Sequence, residues 1–275
     1  MDAKKTYIVV LWDGSEQAEN AFRHALRMDK RTAFAVLIMW MVRKRKFLES
    51  KAEFDAGVAS EQEALRQVAE RLNGQYGLLP EYVVKSGDVR SCIAEVLEEY
   101  SCSIIVSPEE YSFPKGVVVN VVKEFSSSSD IEVPLLVANN APRHDNASIE
   151  VVVPLEYDPE FKDAVEGIVS LSRTYGCNFN FMKPILSDGQ LKKELVSNIY
   201  FAKQVLDDNH IVYGIKSASK ETDFIEEVYD FASSIEANYI LSMSLNYGLY
   251  RKNPKYANAP FIWVNPHKRR YRSFN

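Results

Sequence analysis

The sequence predicts an α/β protein made of two doubly wound, open parallel sheets related by duplication. Three observations carry this. Apolar runs of strand length alternate with amphipathic helical patterns along the whole chain, as parallel strands joined by helical crossovers require. The runs are continuous rather than alternating, which suits strands covered on both faces. The order also occurs twice. Tyr7-Ile8-Val9-Val10-Leu11-Trp12-Asp13 and Glu150-Val151-Val152-Val153-Pro154-Leu155-Glu156 are apolar runs closed by an acid. In the helices that follow, Ala18, Ala21, Phe22, Ala25 and Leu26 recur at a constant offset as Phe161, Ala164, Val165, Ile168 and Val169. A fixed offset across a strand and a helix points to duplication of one structural unit.

The elements follow in order. Residues 7–12 form the first strand. Asp13-Gly14-Ser15-Glu16 is a turn, and Asp13 with Glu16 fits a capping box for a helix running to about Met28. Residues 33–42 read as a second buried strand. A long polar helical stretch covers about Glu49 to Asn73. Tyr82-Val83-Val84 is a third strand, closed by Gly87-Asp88, and a third helix spans about Val89 to Tyr100. Ile104-Ile105-Val106 is a fourth strand. Residues 117–125 read as a fourth helix, against the preference of β-branched Val117 to Val119. Val133 to Val137 is a fifth strand, its proline suited to a strand start or an edge.

Asn139 to Ser148 is polar and turn-rich. The domains expected are residues 1–140 and 148–275, with 141–147 as the linker. The second half repeats the order. Its strands are Val151–Val153, Phe179–Met182, Ile211–Tyr213, Tyr239–Leu241 and Phe261–Val264. Its helices begin at Asp158-Pro159-Glu160, with proline where the missing N–H does no harm, then cover Leu191–Asp207 and Phe224–Ile235.

Composition narrows the function classes. The 275 residues suit two domains of ordinary size, and 46% apolar with 26% charged residues is a globular balance. A net charge of −5 argues against a nucleic-acid binder driven by overall charge. No apolar run approaches the roughly 20 residues of a membrane span, and the first five residues lack a signal-peptide core. Cys92, Cys102 and Cys177 are too few and scattered for a disulfide framework or a zinc site, so they are expected reduced and the protein cytoplasmic.

The chain resembles the universal stress protein family in its tandem form. The residues that carry the resemblance are Ile8-Val9-Val10 through Asp13-Gly14-Ser15, the helix start Glu16 to Ala21, Gly87-Asp88, Cys102-Ser103-Ile104-Ile105-Val106, and Val133-Pro134-Leu135-Leu136-Val137. It covers nearly all of residues 6–139 and, more faintly, 149–266. The resemblance implies a five-stranded sheet per domain, of the adenine-nucleotide α-hydrolase-like, Rossmann-like kind. It also implies that fifth strands pair, here Leu135 to Val137 with Phe261 to Val264 within one chain as a pseudo-dimer, since an apolar edge left bare is unfavourable. Apolar sheet edges also favour a homodimer.

By the same resemblance, ATP-binding members carry G-x2-G-x9-G-[S/T] after strand four, where glycines let backbone N–H groups approach phosphates. This chain has Ser107-Pro108-Glu109-Glu110-Tyr111-Ser112-Phe113-Pro114-Lys115-Gly116 there, with a single glycine. Two carboxylates would repel phosphate, and two prolines remove donors. Ser242 to Tyr250 lacks the pattern as well. The expectation is therefore no bound cofactor, no catalysis, and a regulatory role through an unidentified protein partner. The alternative is a switch that binds ATP or another adenine nucleotide. Its cofactor-binding candidates, by family position, are Asp13, Met41 and Ser107. The plain assignments are helix capping for Asp13 and core packing for Met41, and Glu156 replaces Asp13 in the second half.

Other candidates carry less chemistry. His24 is expected at the surface or its boundary, and His144, His210 and His267 show no metal-ligand spacing. No nucleophile motif is present. Arg43 to Lys46 and His267 to Arg272 are basic clusters, read as a solvated loop and a tail. Tyr247, Tyr250, Arg251, Lys252, Lys255 and Tyr256 interleave aromatics with bases.

Overall fold

The computed structural model describes residues 5–114, 116–126, 131, 133–142, 148–219, 223–243, 255–256 and 259–265. The expected linker core at 143–147, His144, the His267–Arg272 cluster and Tyr247 to Lys252 lie outside these residues. The chain forms two compact units, residues 1–131 with 137–141, and residues 132–136 with 142–275.

The first unit begins with β1 (Thr6–Trp12), α1 (Glu16–Thr32), β2 (Ala35–Val42), α2 (Lys51–Tyr76), β3 (Glu81–Ser86), α3 (Val89–Glu99) and β4 (Ser101–Ser107). Strand order is β4-β1-β2-β3, all parallel. From Ile8 to Leu11, β1 is completely buried, as its unbroken apolar run requires. A register shift separates Tyr7 and Ile8, which pair with Cys102 and Ile104. Ser103, the extra residue, donates its hydroxyl to the Tyr7 carbonyl at 3.2 Å, so the bulge leaves that acceptor satisfied.

Helix ends follow side-chain chemistry. Ser15 caps α1 by accepting from the Ala18 N–H. Ser50 and Glu53 form a capping box on α2, which ends at Gly77 in the left-handed region (φ 75°). Asp88 caps α3.

After β4 the chain departs from expectation. Residues 110–120 form an antiparallel hairpin, β5 (Glu110–Phe113) with β6 (Val117–Asn120). Only Val121–Ser126 is helical, as α4. The expected helix over 117–125 therefore starts four residues late, because three consecutive β-branched valines pair with Phe113, Ser112 and Tyr111 instead. Then comes β7 (Leu135–Val137), and the Ala138 N–H donates to the Ser107 carbonyl at the end of β4 (3.0 Å).

The second unit runs β8 (Ile149–Pro154), α5 (Phe161–Tyr175), β9 (Cys177–Lys183), α6 (Gly189–Asp208), β10 (Tyr213–Ser217), α7 (Phe224–Ser234), β11 (Tyr239–Ser242) and β12 (Phe261–Trp263). Its strands are parallel in the order β10-β9-β8-β11-β12. β10 begins at Tyr213, two residues after the expected start. Ile211 packs inward ahead of the strand, and β10 itself is a largely exposed edge.

In each unit the chain leaves the first strand to one side and returns on the other, which puts a topological switch point between β1 and β4 and between β8 and β11. Open parallel sheets bind ligands in the crevice beyond the strand ends at such points. Among the described residues no helix is long and apolar enough to cross a membrane.

Candidate functional site

The first switch point lies beyond Trp12 and Ser107, the last residues of β1 and β4. Asp13 follows β1 and is half-buried. It is not the helix cap expected of it, because Ser15, two residues later, holds that position. Asp13 Oδ1 instead accepts from the Ser15 N–H (3.0 Å) and the Ser15 hydroxyl (2.5 Å), which orients the cap. Its Oδ2 accepts from the Ser112 N–H on the β5–β6 hairpin at 2.9 Å. One carboxylate thus fixes the β1–α1 turn and ties the hairpin to it.

The hairpin puts Tyr111 into the crevice. Its ring is fully buried. The last register pair of β1 and β2 is Trp12 with Trp40, so β2 continues past the end of β1. The Met41 N–H donates to the Tyr111 hydroxyl oxygen at 2.6 Å. That hydroxyl's own proton faces the Trp12 carbonyl at 3.1 Å, with the Met41 carbonyl at 3.3 Å. A phenol therefore stands where the next residue of β1 would have paired, and satisfies backbone groups that burial would otherwise penalise. Burial raises the phenol's pKa far above its ordinary value, so it stays protonated. Phe113, also buried, packs edge-on against it with ring centres 5.1 Å apart.

The rest of the loop is tied down by its own backbone. The Glu109 N–H donates to Asn139 Oδ1 (2.9 Å), and its carbonyl accepts from the Val121 N–H (2.9 Å). Ser107 is buried, and its hydroxyl donates to the Pro108 carbonyl at 2.7 Å. The three family-position residues are therefore placed differently. Asp13 and Met41 both bond to the hairpin, through Ser112 and Tyr111, whereas Ser107 is turned onto its own loop. The Met41 side chain is fully buried.

Tyr111 is the residue that sequence reasoning passed over. The signal was present. Tyr111 and Phe113 alternate with polar residues, a Pro-Lys-Gly turn follows, and then three valines, which is a hairpin pattern. Gly116 has φ 87° in that turn, a conformation that costs other residues more.

The second switch point is built otherwise. Glu156, two residues beyond β8, accepts at Oε1 from the Ser242 hydroxyl at the end of β11 (2.8 Å). The backbone of this turn is held by buried Asn198, whose amide donates to the Glu156 carbonyl (2.9 Å) and the Asp158 carbonyl (2.7 Å).

His24 is not at the surface. It is 2% exposed on α1, and its Nε2 lies 3.0 Å from the Asn140 carbonyl. Burial lowers its pKa to about 4. The α1 face extends to it because the segment after β7 folds over the helix, with the Asn20 amide also donating to the Asn139 carbonyl. Cys92 and Cys102 are buried free thiols, and burial pushes both up to about 12, far from the depressed range of reactive cysteines. Among the described residues no group of three or more His, Cys, Asp or Glu side chains is placed to hold a metal ion.

Comparison with known proteins agrees with the fold. Residues 6–112 match the model of the universal stress protein family. A universal stress protein from Archaeoglobus fulgidus DSM 4304 superposes with a TM-score of 0.64 at 16% identity, over 96% of this chain and 98% of that one. A protein described as a putative universal stress protein from Pseudomonas aeruginosa UCBPP-PA14 gives a TM-score of 0.54 at 12% identity, over 96% and 93%. No curated protein matches the sequence. The chain carries a universal stress protein domain over residues 6–112, and nearly its whole length has the fold of universal stress proteins.

Proposed function

We propose that this is a tandem universal stress protein that acts without catalysis, as a cytoplasmic regulatory component working through protein contacts. The observation that supports this reading is Tyr111. Its ring fills the crevice beyond β1, and its hydroxyl uses the Trp12 and Met41 backbone groups there. The loop after β4 adds to the case, since Glu109 and Ser112 donate their N–H groups to Asn139 and Asp13 rather than outward. Calorimetric titration of ATP into the purified protein is expected to give no saturable heat. Tight, stoichiometric binding would sink the proposal.

A second reading is a nucleotide-dependent switch centred on Asp13. It is favoured by the single side-chain bond from Asp13 to the Ser112 N–H, because releasing that bond would free the hairpin edge. Under this reading an adenine nucleotide displaces Tyr111, and Asp13→Ala abolishes binding while leaving the protein folded. Unchanged binding by a folded Asp13→Ala protein would exclude it.

A further inference from the structure

A separate cavity of about 450 Å³ opens beside the end of β2, under the first turns of α2. That volume lies in the range of small-molecule sites. Its apolar wall is Val42, Leu48, Phe54, Val58 and Pro114. Three cationic residues, Arg43, Lys44 and Lys46, and three acids, Glu49, Glu53 and Glu61, also line it; the three cations are exposed.

Helix α2 explains why the space exists. Its fully buried residues are Leu65, Ala69 and Leu72, all in its second half. The first three turns run past the core, yet Phe54, Gly57, Val58 and Glu61 share one face at helical spacing and line the cavity. Gly57 sits in the second turn of α2, inside the helix, where glycine costs roughly 1 kcal/mol against alanine. A Cβ there would meet nothing within 4 Å, so close packing does not require the glycine. It leaves the cavity open.

Glu53 is engaged in the capping box with Ser50, and Glu49 accepts from the Lys46 N–H. Lys44 makes one loose ion pair, 3.7 Å from Asp88. Glu61 lies two turns along the helix from Phe54. With Glu49 held by the Lys46 N–H, Glu53 by Ser50, and Lys44 facing Asp88, the lining cations left to an occupant are Arg43 and Lys46, beside the apolar Phe54 and Val58.

We propose that this cavity binds a small anionic amphiphile, an apolar-bodied carboxylate or sulfonate. The site is distinct from the Tyr111 crevice, and the inference stands whether or not that crevice binds a nucleotide. The test is a fluorescence titration of the full chain with 8-anilinonaphthalene-1-sulfonate, followed by displacement. Saturable binding is expected, weakened by salt, displaced by decanoate and not by decyltrimethylammonium. A Cβ at this position meets nothing within 4 Å and leucine improves helix propensity, so Gly57→Leu should fold, and it should raise Kd by roughly ten-fold or more. Lys46→Glu should weaken binding roughly five-fold. Equal binding by Gly57→Leu, or displacement by the cationic amphiphile as readily as by decanoate, overturns the proposal. So does co-sedimentation with anionic phospholipid vesicles that Gly57→Leu leaves intact, which would assign the exposed Phe47-Leu48 loop to a bilayer surface instead.

Discussion

Asp13 and Glu156 close the first strands of the two units, and they are used in opposite ways. Asp13 bonds its own turn and the hairpin that follows β4. Glu156, one methylene longer, reaches the hydroxyl of Ser242 at the end of the neighbouring strand. The serine at the end of β4, Ser107, faces the Pro108 carbonyl instead. In the first unit the acid fastens a loop that carries an aromatic plug. In the second it fastens two strand ends together. A carboxylate at this position is therefore not by itself a ligand group, since its side-chain length and the loop opposite decide what it holds.

Removing the plug should break the contrast most strongly. Tyr111→Ala deletes a fully buried ring and should cost about 3–5 kcal/mol in urea unfolding of the first unit. The Ser242→Ala change, at the second switch point, removes one hydrogen bond to a carboxylate and should cost about 1–2 kcal/mol. Equal losses would mean that the hairpin is a surface ornament rather than part of the core.

His24 gives the next effect. Its imidazole is neutral when folded, with a pKa lowered to about 4 from an ordinary 6.5. The unfolded chain then binds the extra proton first, so stability falls as pH drops from about 6.5 and levels off below about 4. The loss from this residue should be on the order of 3 kcal/mol. Melting curves between pH 7 and 4 should show it, and His24→Gln should flatten the slope. A wild-type slope that survives in His24→Gln would assign the effect to other groups.

The smaller change, Tyr111→Phe, keeps the ring and removes the hydroxyl. It leaves the Met41 N–H and Trp12 carbonyl buried and unpaired, a loss of about 1–3 kcal/mol. A cost near zero would show that water reaches those groups.

The sheets were legible because continuous apolar runs such as Ile8 to Leu11 admit few alternatives. The capping residue was misplaced by two positions, since Asp13 and Ser15 are both good N-caps and the sequence alone does not rank them. Tyr111 was obscured because the loop lacks the glycine pattern of the family and its hairpin periodicity, Tyr111 and Phe113 alternating with polar residues, is short. His24 was missed for a different reason. What buries it is the 139–140 segment, more than a hundred residues away along the chain, and helical periodicity carries no information about such a contact.

The central claim is that the hairpin seats Tyr111 at the end of β1. Hydrogen exchange at single amides tests it most directly. The Met41 and Ser112 amides, bonded to Tyr111 and Asp13, should exchange slowly in the wild-type protein, and Tyr111→Phe should speed Met41 by roughly 10- to 100-fold. Exchange of the wild-type Met41 amide at the rate of an exposed loop would contradict the account.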